Sequence, residues 1–288
     1  SYPMATSTGF NGYNANVGDM RNSGFEFEIR GTAIRTDDFV WNISWMGSTV
    51  KNKVLKLTNT APEIIKGVYS IKEDMPINTF YMAKSAGVDP ATGAQLYWVY
   101  DKDENGNIIN ERISDDYSKA STSKYYQGNR IPDLYGSIGT DFSYKGFDLS
   151  VLTSYSIGGK IYDSLYTGSM NAQYATNTWN KHQLRRWQKP GDITDVPRVE
   201  INGAYTTTDR FLINASYFAI KNITLGYSLP KDWMRKAKLG NVRVFGSIDN
   251  LALFSHLKGM DPQYNFKGET DYSYTPNKTY SFGVEINF

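Results

Sequence analysis

Apolar and polar residues alternate along most of this chain with a period of two. In "FEFEIRGTA", Phe25, Phe27, Ile29 and Ala33 fall on one side, against Glu26, Glu28, Arg30 and Thr32. "FVWNISW" places Phe39, Trp41, Ile43 and Trp45 together, and "LYGSIGTDFSY" does the same with Leu134, Ile138, Phe142 and Tyr144. The pattern continues through Phe147, Leu149, Val151, Tyr155 and Ile157. It recurs at Tyr217, Ala219, Ile223, Leu225, Tyr227 and Leu229, and again at Val242, Val244 and Ile248. The last ten residues, "TYSFGVEINF", alternate up to the final position: Tyr280, Phe282, Val284, Ile286 and Phe288 oppose Ser281, Gly283, Glu285 and Asn287. "NTFYMAKSAG" and "AQLYWVYD" are strand-like with less regular alternation. The longest helical candidate is "KDWMRKAK". Successive side chains of a strand point to opposite faces, so the pattern predicts a nearly all-β chain of about nine strands, each with one apolar face.

The segments between these runs are of two kinds, and the kinds alternate. Thr36–Asp38, Lys145-Gly146 and Pro230–Gly240 are tight, whereas roughly 51–75, 102–132, 158–215 and 254–275 are long and polar. A soluble sandwich has no reason to alternate short with long. A membrane β-barrel does, with short periplasmic turns, long outer loops, lipid on the apolar face and a wet lumen on the polar one. Several runs reach roughly eleven to thirteen residues, beyond the usual globular strand and near what a tilted strand needs to span a bilayer. An aromatic last residue then fits an interfacial belt better than a frayed terminus.

Composition narrows the chemistry. No stretch of about 18 consecutive apolar residues exists and mean hydropathy is −0.50, so no transmembrane helix is expected; a barrel strand leaves little trace in such averages. Net charge is +2 over 288 residues, which gives no bulk attraction for nucleic acid. Cys is absent and His182 and His256 are the two histidines, both in expected loops, which removes disulfides, Cys-based zinc sites and Cys nucleophiles. "DKDENGNIINER" begins with calcium-loop spacing at Asp101, Asp103 and Asn105, but its twelfth position is Arg112 instead of a bidentate Glu. An Asn105-Gly106 hairpin turn is the alternative. Phosphate-binding glycine motifs are missing, and Glu26/Glu28 read as a polar row of a strand. The sequence gives no case for an enzyme and requires no cofactor. Trp179, Arg185, Arg186 and Trp187 sit in the longest loop, where they either touch substrate or a lid, or pack the loop and the interfacial belt.

Several stretches also carry a family resemblance. "NVGDMRNSGFEFEI" resembles the N-x-G…N-x-G-x-E signature of SusC/RagA-type TonB-dependent transporters. "AGVDPATG" (Ala86–Gly93) is similar to their GvDpaTG segment, and "YKGFDLS" with "GGKIYD" (Gly158–Asp163) resembles a hairpin of theirs. "RRWQKPGDITDVPR" and the closing strands continue the match in the family's order. The resemblance implies the C-terminal part of a 22-stranded plugged barrel, spanning 1–288, with the plug, the TonB box and the early strands outside this chain. It implies a SusC-like outer-membrane importer of glycan oligomers or peptides in a Bacteroidota-like cell. The expected partners are the rest of the barrel with its plug, a SusD-like surface lipoprotein as lid, TonB, outer-membrane lipid and the substrate. Strand parity then puts Ser1–Asn22 in an outer loop, where cleavage is easiest. A passive porin or adhesin and a soluble β-sandwich binding module stand as the alternatives.

Overall fold

The computed structural model describes residues 2–3, 7, 9, 12–13, 18–58, 61–105, 107–171, 178–200, 207–236, 238–263, 267–270 and 274–287. Its main element is an open, seven-stranded antiparallel meander. The strands are β1 (Glu26–Arg35), β2 (Phe39–Ser48), β3 (Leu134–Tyr144), β4 (Phe147–Ile157), β5 (Tyr217–Ser228), β6 (Asn241–Ser255) and β7 (Thr279–Asn287). Each pairs with its neighbour in sequence order.

All three short connections lie at one end of this wall. Lys145 and Gly146 both take positive φ (46° and 89°), the geometry of a two-residue hairpin turn whose twist matches the strands. The β5–β6 turn carries the expected helical segment, Lys231–Lys236. The long connectors, 49–133, 158–216 and 256–278, all leave from the other end.

Register places the apolar residues of the strands side by side. One row runs Val284, Val244, Tyr227, Phe147, Tyr144, Phe39; the next runs Phe282, Gly246, Leu225, Leu149, Phe142, Trp41, Ile34. Toward the long-connector end, Ala252, Ile220, Thr153, Ile138, Trp45 and Ile29 form a further row, followed by Phe254, Phe218, Tyr155, Gly136, Gly47 and Phe27. Aromatics thus crowd the two ends of the face and aliphatics its middle.

Two β-bulges correct the period-two count. A register shift between Thr32 and Ile34 sets Ile34, not Ala33, beside Trp41. A second, between Ile220 and Asn222, puts Phe218 and Ile220 on the apolar face and turns Tyr217 and Ala219 to the other one. An extra residue in one strand reverses the alternation beyond it.

The two runs at Asn78 and Ala94 are not in the wall, which has seven strands where the alternation suggested about nine. Thr79–Val88 and Gln95–Lys102 belong to a separate six-stranded sheet built by the first long connector, with the strand Ile108–Ser114 and the helix Tyr117–Thr122 beside them. Their alternation is irregular because they pack on both sides. The long connectors are accordingly not simple polar loops but hold the buried core of the chain. Val68, Tyr69, Phe80 and Met82 from the first pack with Tyr162, Met170, Val196 and Phe211 from the second. Ile161, Ile213 and Ala215 of the second meet Met260 of the third. Each fully buried side chain of this kind is worth about 1.5–3 kcal/mol. The connectors therefore fold into one packed layer across the end of the wall.

Gly47 marks a close approach in the wall. Phe27 lies over it, and the Tyr155 hydroxyl crosses it to accept from Trp45 Nε1 (2.9 Å) and donate to the Met46 carbonyl (3.1 Å). A Cβ at position 47 would stand 2.5 Å from the Phe27 ring. Gly47→Ala is expected to displace Phe27 and destabilise the folded sheet by about 1–3 kcal/mol. The urea midpoint for loss of the compact, heat-modifiable band on gels reads it, and an unchanged midpoint would contradict this packing.

Candidate functional site

The chain presents two surfaces fit for function, the wall's opposed faces and the layer at its end. On the terminal strand, Tyr280, Phe282, Val284 and Ile286 share the apolar face and are open, with Phe282 88% exposed. Phe288 lies outside the described residues. Nothing among the described residues covers the face, yet its indole donors are satisfied within it: Trp41 Nε1 donates to Thr140 Oγ1 (2.8 Å) and Trp45 Nε1 to Tyr155. A surface built for a solvent without hydrogen-bonding partners requires this.

The other face is polar across its width. Ser281, Ser247, Thr224, Ser150, Asp141, Asn42 and Thr32 make one transverse row. Beside it Arg243 reaches diagonally over Gly226 to hold Asp148 by two hydrogen bonds, Nε to Oδ1 at 3.0 Å and Nη2 to Oδ2 at 2.5 Å. Glu28 and Arg30 pair along β1.

In the layer, the four loop residues singled out from sequence come to lie in a structured segment. Trp187 packs its ring on Gly93, donates Nε1 to the Pro90 carbonyl (2.9 Å) and its amide to Val196. Arg198 donates its amide to Gly93 and Nη1 to the Thr92 carbonyl, both at 2.9 Å. The Asp89–Gly93 turn and the segment 185–198, nearly a hundred residues apart in sequence, are thus one unit. Arg185 pairs with Asp195 at 2.9 Å, Arg186 Nη1 donates to the Gln183 carbonyl, and Trp179 is half-buried with contacts of its own. The structure brings Arg185, Arg186 and Trp187 together on the 3-10 turn Lys181–Arg185 and the residues after it.

The calcium-like run closes a hairpin. Asp103 accepts from the Asn105 and Asn107 amides (3.0 and 2.7 Å), while Asp101 is held by Arg112 (2.5 Å) and Asn110. Arg112, at the position a calcium loop gives to Glu, supplies the countercharge itself. Gly106 lies outside the described residues. No group of three metal-ligating side chains occurs among the described residues.

Sequence reasoning missed three features. Lys72 sits over Tyr126, Tyr126 stacks on Tyr81 (4.7 Å), and Lys124 sits over Tyr81, a cation–π ladder on the connector sheet. Burial pushes the nearby Tyr100 hydroxyl up to about 12. The His182 ring accepts or donates at 2.8 Å to Tyr166, beside a cleft of about 400 Å³ lined by Tyr166, Ser169, Asn180, Met260, Asp261 and Tyr274. Asp209 Oδ1 accepts from the Ser85 amide (2.7 Å) and so ties the first and second connectors. The ladder and the Asp209 contact join segments far apart in sequence, and no local pattern announces such contacts.

The fold and its faces define a segment of membrane β-barrel wall with a packed layer on one end. No family model matches the chain. Against curated proteins it is 27% identical over 323 residues to TonB-dependent receptor P3 of Formosa agariphila, covering 99% of this chain and 30% of that protein. It is 26% identical over 303 residues to TonB-dependent receptor SusC of Bacteroides thetaiotaomicron, covering 100% and 28%. Among solved structures, the RagAB peptide transporter superposes with a TM-score of 0.85 at 26% identity, over 100% of this chain and 31% of that one. The chain is therefore similar, over its whole length, to SusC/RagA-type TonB-dependent receptors, and it spans less than a third of their length.

Two predictions follow from the layer's ties. Trp187→Ala removes the ring from Gly93 and the bond to Pro90, a loss of about 2–4 kcal/mol to the local packing. Limited proteolysis is expected to cut near 185–198 much faster while the wall's heat-modifiable band persists. The second concerns Asp209, whose carboxyl burial raises above the ordinary value of 3.8, against the lowering by the Ser85 amide and the Lys84 and Lys160 ammonium groups. Just above 3.8 the folded layer keeps a proton that the unfolded chain has released, so its stability falls as pH rises through this window and levels off beyond the raised value. Asp209→Asn is expected to flatten that slope, read as protease resistance of the layer as pH is lowered from neutral toward 3.8.

Proposed function

We propose that the chain is the C-terminal wall portion of an outer-membrane active nutrient importer of the SusC type. One observation carries this reading: a seven-stranded sheet has a full-width apolar face uncovered among the described residues, a polar face behind it, and every long connector at one end. An apolar face of this size in water is an aggregation hazard; in a bilayer it is a requirement. Eight residues separate Phe147 from Tyr155, about 27 Å along the strand, and a tilt of 35–45° reduces this to about 20 Å, close to the apolar band of outer-membrane barrels.

In this reading the apolar face meets lipid, the aromatic rows mark the two interfaces, and the polar face lines a lumen that a plug fills. The remaining strands, the plug and the TonB-coupled region lie outside this chain, and β1 and β7 pair with the strands that close the barrel, because hydrocarbon does not tolerate open edges. The layer faces the cell exterior under a SusD-like lipoprotein and takes part in holding an oligosaccharide or peptide cargo. Trp179, Arg185, Arg186 and Trp187 serve there in substrate or lid contact, with Trp187 and Arg185 also committed to the layer's own packing. The chain performs no covalent chemistry; transport energy enters through TonB. The RagAB comparison, a peptide transporter, supports import and leaves the choice between sugar and peptide to the loops.

The test is fractionation of cells carrying the chain, followed by intact mass and peptide mapping of the detergent extract. Retention in the outer membrane after an alkaline wash, with a plug domain and a lipoprotein found in the same extracted complex, is the expected result. A plugless barrel would favour the passive porin. A chain that comes off as a soluble monomer without detergent would overturn the membrane reading altogether.

A further inference from the structure

The turn between β5 and β6 differs from the other two at its end of the wall. Those are minimal and electrically balanced: Arg35 and Lys145 offset Asp37 and Asp38, and Lys145 pairs with Asp38 at 3.3 Å. The third spans 229–240, folds a helical turn and carries Lys231, Arg235, Lys236 and Lys238 against Asp232 alone. Asp232 is already taken by Arg235 at 2.8 Å. Lys231, Lys236 and Lys238 make no ion pair among the described residues. An indole stands among them: Trp233 is 61% exposed, while the adjacent Met234 is buried against the wall.

The segment is fixed, not loose. The Leu239 amide donates to Met234 (3.0 Å), Leu229 to Val242 (2.9 Å) and Gly240 to Asn287 (2.8 Å), so the helix is held against the ends of β5, β6 and β7. It begins just beyond the row of Val242 and Ile286, where the apolar face ends. An exposed tryptophan with unpaired cations at the rim of an apolar face matches the chemistry of a bilayer interface: the ring sits at headgroup level and the ammonium groups meet phosphate.

We propose that this turn is a binding site for anionic phospholipid headgroups of the leaflet at the short-turn end, with Lys231, Lys236 and Lys238 as the phosphate-contacting groups and Trp233 as the interfacial anchor. The inference rests on the membrane reading given above. Lipid is favoured over a periplasmic protein because the patch continues the apolar face, and because the charge left unpaired in it is all positive.

The probe is phosphatidylglycerol against phosphatidylcholine, tested on the complete detergent-extracted protein. Native mass spectrometry counts retained lipid, and thermal unfolding in nanodiscs of each lipid gives a second readout. The wild type is expected to retain phosphatidylglycerol preferentially and to melt higher in it. Lys231→Gln, Lys236→Gln and Lys238→Gln combined should cut that retention at least about tenfold, each lysine near an anionic surface being worth up to about fivefold. The corresponding triple Arg variant should restore retention, which separates lost charge from lost folding, and Trp233→Ala should weaken retention of both lipids. Equal retention of the two lipids by the wild type, or no loss in the Gln variant, overturns the proposal while leaving the membrane wall intact. A Gln variant that keeps its lipid but loses a co-purifying periplasmic protein assigns the patch to that protein instead. A protein that needs no detergent removes both readings together.

Discussion

The sheet cannot satisfy its own apolar face. Seven strands pair side by side through their backbones, but Phe282, Leu225, Ile138 and Ile29 stay exposed among the described residues. Burying such a face is the main favourable term in folding, and here the burying material has to come from elsewhere. Every other feature accords with that. Indole donors find partners inside the face, aromatics collect at its rims, and the opposite face is polar, with Arg243 held by Asp148 and Arg30 by Glu28.

The chain therefore inverts the usual arrangement of a domain. Its core, in the sense of side chains removed from water, lies in the connectors, where Phe80, Met170, Val196 and Phe211 are almost wholly buried. The long strands hold that layer in place. A connector in a soluble sandwich would be free to vary in isolation. Here the first and second connectors share one cluster and the second and third another.

Much of the wall was legible in the sequence. Strands β2, β3, β4 and β7 follow the alternation as it reads, because the inserted residues lie in their partners and not in them. The alternation failed where a bulge inserts one residue, as at Lys221, since an extra residue costs little in sequence but reverses every side chain after it. It failed also for Thr79–Val88 and Gln95–Lys102, whose composition is that of strands but whose neighbours are not the wall. The resemblance located the two loop motifs around Asp89 and Trp187 correctly in order, and only the folded chain shows that they are a single object. Asp209 and the Tyr81–Tyr126 stack had no sequence signal, because their meaning lies in contacts between distant segments.

The ties within the layer have a mechanical meaning. Arg130 donates to the Pro262 carbonyl across 132 positions of sequence, Asp209 holds Ser85 across 124, and Trp187 holds Pro90 across 97. Three flaps hinged separately on the wall could each swing aside; three flaps riveted to one another cannot. Displacing any one of them loads the other two, so motion at this end of the molecule is the tilt of a plate about the strand ends that carry it.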